Sequence, residues 1–141
     1  MANTVFQLLM LRVDGNPYAI DVDCVLEVLE AVQPERIIDQ SDSIAGLINV
    51  RGDIIAVHSI RHKLSTPERP VDPSHRIILI NDHDSKLGLL VDQVETVQLF
   101  QEEQLFAQSL SPKAFKIIRA KHKALEIEEL RDFITRQEQE D

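Results

Sequence analysis

Short hydrophobic runs alternate with clusters of turn-forming residues along most of the chain. Residues 5–13 form the first run, residues 14–17 (Asp-Gly-Asn-Pro) end it, and residues 18–20 resume an extended segment. Apolar runs separated in this way predict β-hairpins. The same pattern predicts two further hairpins, formed by residues 44–50 with 54–57 and by residues 76–80 with 87–91.

Several shorter segments lie between these hairpins. Asp21 is placed to cap a short helical turn, and residues 25–32 fit either a strand or a helix on pattern alone. Residues 59–64 predict one or two turns of helix. The alternation of apolar and polar residues slips near Asp92 and Gln93, which predicts a bulge or a bend.

The last third of the chain leaves two interpretations open. Residues 111–112 (Ser-Pro) can begin a helix, since no glycine or proline follows them. Residues 115–118 and 124–127 can equally form paired strands around residues 121–123 (Lys-His-Lys).

A terminal helix is predicted over residues 128–137, with Leu130, Phe133 and Ile134 facing inward. Many short strands with few helices are typical of a mostly-β barrel or sandwich.

Composition and charge exclude several classes of protein. The 141 residues carry a formal net charge of −9, which argues against nucleic acid as a partner. The single cysteine, Cys24, lies among acids and is expected to be buried and inert, which suits a reducing compartment. No apolar run approaches the ~20 residues of a membrane helix, and the first residues lack a basic leader. We therefore expect a cytoplasmic protein without direct membrane insertion.

The sequence offers no set of residues that would carry catalysis. His58 and His62 have the spacing of a helical zinc pair, but Ser59 stands where the zinc-protease motif requires Glu, and we predict no metal site. The four glycines cannot form a phosphate-binding loop, and no nucleophile elbow is present. We expect no enzyme and no cofactor. Arg51 has a fork of donors that would suit a carboxylate such as Glu27.

A run of cations near the end of the chain has two interpretations. It is either a solvated hairpin face neutralised by the Glu-rich terminal helix, or a patch that attracts an acidic partner. The run comprises Lys113, Lys116, Arg119, Lys121 and Lys123, with no acid between Gln104 and Leu125.

Several segments together resemble the CheW-like domain of bacterial chemotaxis coupling proteins, which also occurs in the chemotaxis histidine kinase CheA. The most specific one is residues 46–52 (Gly-Leu-Ile-Asn-Val-Arg-Gly), followed by Ile54 and Ile55. The others, in the family's order, are residues 18–21 (Tyr-Ala-Ile-Asp), 25–28 (Val-Leu-Glu-Val), 88–94 (Gly-Leu-Leu-Val-Asp-Gln-Val) and 125–130 (Leu-Glu-Ile-Glu-Glu-Leu).

The chain departs from the family pattern at two places. Ala56 and the pair Ser59-Ile60 stand where the family usually has Pro and Asp-Leu. The last hairpin, at about residues 114–127, lacks the usual glycines, so we expect it to be shortened or altered.

The resemblance implies a fold and a function. The expected fold is mostly β, with two small five-stranded SH3-like barrels packed side by side and short helices including a C-terminal one, and residues 1–141 form one such domain. Gly46, Gly52 and Gly88 are expected at structural turns or close strand approaches. The implied function is that of a non-enzymatic adaptor in chemosensory signal transduction, which joins chemoreceptors to the regulatory domain of a CheA-like kinase.

The resemblance also implies a binding site. Val25, Glu27, Arg51 and Val97 fall where the family places the groove that contacts the cytoplasmic tip of the receptor. Core packing for the two valines and a structural ion pair for Glu27 and Arg51 are the alternatives. A scaffold in another two-component pathway, such as surface motility or development, is an alternative function, and a small β-barrel ligand-binding protein is a third.

Overall fold

The computed structural model describes residues 4–37, 44–83 and 85–139, in which ten strands, three α-helices and one 3-10 turn are found. The strands are β1 (Val5–Val13), β2 (Asn16–Asp21), β3 (Val25–Glu30), β4 (Ile44–Val50), β5 (Asp53–Ser59), β6 (Arg76–Asp82), β7 (Ser85–Val91), β8 (Gln93–Gln101), β9 (Lys116–Lys121) and β10 (Ala124–Glu128). The helices are α1 (Ile60–Lys63), α2 (Glu102–Ser109) and α3 (Leu130–Gln139), and the 3-10 turn is Val22–Cys24.

The strands form two five-stranded sheets that pack together, as predicted. The first sheet has the order β10-β9-β2-β1-β8, and the second has the order β3-β6-β7-β5-β4. Neighbouring strands are antiparallel except for the parallel pairs β2–β9 and β5–β7. The chain starts in the first sheet, builds the second, and returns to the first at Asp92, where it bends as the sequence predicts.

Three apolar clusters hold this arrangement together. The largest lies between the sheets and joins residues such as Leu11 and Ile20 of the first to Ile80 and Leu89 of the second. A second cluster packs α2 and α3 against the first sheet, and a third fills the second sheet. Because the largest cluster is shared, burial of apolar area holds the two sheets against each other.

The structure resolves the segments that the pattern left open. Residues 25–30 form a strand, and Asp21 caps the 3-10 turn by accepting a hydrogen bond from the Asp23 amide at 3.0 Å. The last third contains paired strands rather than one long helix, and α3 buries the three predicted side chains. Helix α2 is missing from the sequence prediction because it buries only Leu105 and so shows no apolar period.

Gly46 and Gly88 both lie inside strands, so a turn at either position is wrong, whereas the close strand approach expected at Gly88 is confirmed. Gly46 is needed in β4 because a Cβ there would lie 2.5 Å from the backbone oxygen of Glu35. Gly88 lies in β7, where a Cβ would lie 3.1 Å from Ile77 and 3.3 Å from Val57. Both residues permit close packing and do not reverse the chain.

Candidate functional site

An exposed ion pair joins Glu27 on β3 to Arg51 in the turn between β4 and β5. Strands β3 and β4 lie at opposite ends of the strand order of the second sheet, so this ion pair links the two edges of that sheet. The contact is bidentate: Arg51 Nη1 donates to Glu27 Oε1 at 3.3 Å, and Nη2 donates to Oε2. A bidentate fork fixes the orientation of the guanidinium as well as its position.

The turn that carries Arg51 has a two-residue loop, because Val50 pairs with Asp53. Arg51 and Gly52 both have positive φ, of 50° and 93°, as such hairpin loops require. The Asn49 side chain accepts a hydrogen bond from the Gly52 amide at 2.9 Å. The local sequence Asn-Val-Arg-Gly thus builds the turn and presents the arginine.

Electrostatics keep this pair ionised while solvent still reaches it. Hydrogen bonding to Arg51 lowers the pKa of Glu27, and hydrogen bonding to Glu27 raises the pKa of Arg51. The Arg51 side chain remains 70% exposed and that of Glu27 36%. Donors of Arg51 are therefore accessible to a partner.

The two predicted groove valines lie in different surroundings. Val25 is two residues before Glu27 on β3 and packs partly against the cluster between the sheets. Val97 is 51% exposed on β8, the outermost strand of the other sheet. The pairing of Leu9 with Val97 and of Gln7 with Leu99 places Val97 and Leu99 on one face. The structure thus joins Glu27 to Arg51 directly and places Val97, with Leu99, on an exposed apolar face of the first sheet.

Comparison with known proteins decides the family. A family profile described as "CheW-like domain" matches residues 7–121. The chain belongs to the CheW-like domain family.

Named proteins of this family are similar to the chain. The Chemotaxis protein CheW of Bacillus subtilis (strain 168) is 30% identical over 99 residues, covering 70% of this chain and 64% of that protein. The Chemotaxis protein CheW of Klebsiella aerogenes is 28% identical over 99 residues, 70% of this chain and 60% of that protein. The chain thus spans less than two thirds of these curated relatives.

A solved structure shows the same fold. The crystal structure of the scaffolding protein TtCheW from Thermoanaerobacter tengcongensis matches with a TM-score of 0.67 and 26% identity, covering 88% of each chain. The two five-stranded sheets of this CheW-like domain therefore correspond to the paired SH3-like barrels of the family.

Sequence reasoning missed a second, buried arginine site in this CheW-like domain. Arg61 of α1 donates from Nη1 to Asp14 Oδ1 at 2.6 Å and from Nη2 to both Asp92 oxygens, at 2.7 and 2.6 Å. Asp92 Oδ2 also accepts from the Asp14 amide at 2.8 Å. Asp14 and Asp92 each follow a strand directly, and that position at strand ends is the one sequence signal they carry.

The histidines and the cysteine that the sequence singled out show no common site. Within the described residues, no three or more His, Cys, Asp or Glu side chains are grouped to hold a metal ion. His58 is buried, and burial, followed by the charge of Lys63, lowers its pKa. Burial and then the charge of Asp21 raise the pKa of Cys24 to about 11. None of the described helices has both the length and the apolar character needed to cross a membrane.

Proposed function

We propose that this CheW-like domain is a non-enzymatic adaptor that couples chemoreceptors to a CheA-like histidine kinase in bacterial chemosensory signalling. The family match over residues 7–121 carries the proposal. The similarity to chemotaxis proteins and to a scaffolding protein supports it. In this proposal the protein works in the cytoplasm and reaches the membrane only through receptor arrays.

The proposed receptor site contains Val25, Glu27, Arg51 and Val97. An amphipathic helical hairpin at the receptor tip places apolar side chains against the valines. The exposed donors of Arg51 contact receptor carboxylates or carbonyls, while Glu27 holds the guanidinium in position. Charge at such a contact fixes the register and the orientation of the partner.

The kinase regulatory domain is proposed to bind elsewhere, at the ends of the barrels. Receptor binding and kinase binding are then separable by mutation. Coupling follows if the state of the receptor shifts the equilibrium between active and inactive kinase through the shared adaptor. The family profile ends at Lys121, inside the last hairpin. Measuring the binding of the kinase domain therefore also tests whether the altered hairpin has cost the protein this partner.

Calorimetry with purified receptor cytoplasmic fragment and kinase regulatory domain, each titrated separately, tests the proposal. Arg51→Ala should weaken receptor binding at least about tenfold, because it removes the donors of a charged contact. Kinase-domain binding should stay within about twofold, the range expected when a distant exposed charge is lost.

Lys86→Ala is the matched control, because it breaks another exposed ion pair of the second sheet, with Asp53 at 3.2 Å. It should leave both affinities unchanged. Wild-type protein that binds neither partner would overturn the proposed function. Arg51→Ala protein that binds the receptor fragment normally would overturn the site.

A further inference from the structure

The turn between β9 and β10 has an unusual sequence for its backbone conformation. Lys121 pairs with Ala124, so His122 and Lys123 alone form the loop, and both have positive φ, of 53° and 63°. Such loops strongly prefer Asn-Gly, Asp-Gly or Gly-Gly. The corresponding loops after β1 and β4 each contain a glycine, Gly15 and Gly52.

The left-handed conformation is unfavourable for His122 and Lys123, because the Cβ approaches the following carbonyl. The other sheet holds the turn in place: the Lys123 amide donates to Asp82 Oδ2 at 2.6 Å, and Asp82 is 7% exposed at the end of β6. Asn-Gly would satisfy the same backbone with less strain. Backbone conformation alone therefore does not favour histidine and lysine at these two positions.

The same turn borders a cleft with a volume of about 910 Å³. The cleft lies between the 3-10 turn, the β6–β7 turn, the last hairpin and α3. Its wall has an apolar part, an acidic part and a basic rim. Representative residues are Cys24 and Ala120, Asp21 and Asp23, and Lys121 and Lys123, respectively.

The basic rim is not neutralised by its own neighbours. Arg119 pairs with Glu126 at 3.1 Å. Lys121 and Lys123, both exposed, form no ion pair with an acidic side chain among residues 4–37, 44–83 and 85–139. In a chain with a net charge of −9, these cations form a local site of attraction for anions.

We propose that this cleft binds an acidic segment of a partner protein, with carboxylates at Lys121 and Lys123 and an apolar side chain against the partly buried Cys24 and Ala120. The acidic part of the wall gives the segment its direction, since its negative end must lie away from Asp21 and Asp23. A uniformly charged polyanion, such as nucleic acid or an anionic membrane surface, would be repelled by the carboxylates of Asp21 and Asp23. This inference does not depend on the receptor groove.

The test uses the full chain and the double variant His122→Asn/Lys123→Gly. Because the variant relieves backbone strain, its melting temperature should rise by about 2–6 °C. The probe is a synthetic peptide that begins with glutamates and continues with leucine and alanine. Its binding is monitored by changes in the amide chemical shifts of the protein. Wild-type protein should show shifts at the last hairpin and the 3-10 turn, and the variant should bind about three- to fivefold more weakly.

Lys121→Gln removes a rim charge without touching the loop and should weaken peptide binding to a similar degree. Lys63→Gln, an equal change of charge on α1, should not. A peptide with glutamine in place of glutamate should bind more weakly than the acidic one, and added salt should weaken the acidic one.

Three results would overturn the proposal. The first is a more stable double variant that binds the acidic peptide as tightly as wild-type protein. The second is chemical shifts that lie outside the cleft. The third is tighter binding to phosphatidylserine vesicles than to the peptide, with the same dependence on Lys121, which would assign the rim to a membrane.

Discussion

Arg51 and Arg61 each make two hydrogen bonds to the carboxylate of one acidic residue, Arg51 through both Nη atoms and Arg61 through Nη2 alone, yet their surroundings differ sharply. The Arg61 side chain is 7% exposed and contacts Asp14 and Asp92. The Arg51 side chain is 70% exposed and contacts Glu27 alone. Both are guanidinium–carboxylate contacts, and they differ in burial and in the number of carboxylates that each arginine contacts.

The buried arginine connects the two sheets. Arg61 lies in α1, directly after β5 of the second sheet, and Asp14 lies in the β1–β2 turn of the first sheet. Asp92 lies between β7 and β8, where the chain passes from the second sheet to the first. Burial of a charge is tolerated only when hydrogen bonds replace water, as the two carboxylates do for Arg61. An exposed pair such as Glu27–Arg51 adds little to stability and leaves donors for a partner. Burial therefore separates Arg61, which holds the fold together, from Arg51, which we propose as a binding residue.

The largest expected effect is on Arg61→Met. Removing the guanidinium leaves the Asp14 and Asp92 carboxylates close together and partly buried, so the free energy of unfolding should fall by about 3–5 kcal/mol. Urea denaturation measures it. The triple variant with Asp14→Asn and Asp92→Asn should recover part of the loss, because no unpaired carboxylate remains. A loss below about 1 kcal/mol for Arg61→Met would remove the distinction between the two arginines.

The dependence of stability on acidic pH should also differ between the Arg61 and Arg51 sites, although by a smaller amount. Burial raises the pKa of Asp92, but hydrogen bonds from the Asp14 amide and from Arg61 outweigh it, and the net shift is downward. A carboxyl whose folded pKa is lowered stabilises the fold above its unfolded pKa, about 3.9, and loses that contribution as the pH falls through the folded pKa.

Wild-type stability should therefore fall as the pH is lowered below about 4, and Asp92→Asn should show a shallower dependence on pH there. Denaturation midpoints over a pH series measure the slopes. Glu27→Gln should change the slope less, and only at low salt, because its pair is exposed. Equal changes in slope for Asp92→Asn and Glu27→Gln would mean that burial does not set their roles.

Local patterns predict most of the strands and the turn that carries Arg51, but not the buried Arg61 site. The hairpin around Arg51 is local, since two β-branched runs flank an Asn-Val-Arg-Gly turn. The Arg61 cluster is not, because its partners lie 47 and 31 positions away and meet only through the order of the strands. A contact that depends on strand order has no periodic signal in the sequence.

The role of Gly46 escaped prediction for the same reason. The motif shows that a glycine stands there, but the need for it comes from the backbone of Glu35, which pairs with Leu47 by two hydrogen bonds of 2.8 Å. Gly52 differs, because its positive φ follows from the two-residue loop itself. Sequence reasoning therefore identifies a glycine required by a turn more readily than one required by a distant segment.

Gly52→Ala tests the turn conformation while it leaves the Arg51 side chain unchanged. Nothing lies within 4 Å of a Cβ at this position, so only backbone strain opposes the substitution. Stability should fall by about 1–2 kcal/mol in urea denaturation. Gly52→Asn should lose less, because asparagine tolerates positive φ. An unchanged denaturation midpoint for Gly52→Ala would show that the loop adopts another conformation in solution.

The smallest effect on stability is expected for Arg51 itself. Because its guanidinium is exposed, Arg51→Ala should leave the melting temperature within about 2 °C of wild type. Arg51→Lys retains the charge but loses the two-pronged contact with Glu27, so it should be equally stable and still bind the receptor fragment more weakly than wild type. Scanning calorimetry and receptor titration on the same samples measure both. If Arg51→Ala instead melts many degrees lower, as Arg61→Met should, while its folded fraction binds receptor normally, Arg51 is a structural residue and exposure does not mark the binding arginine.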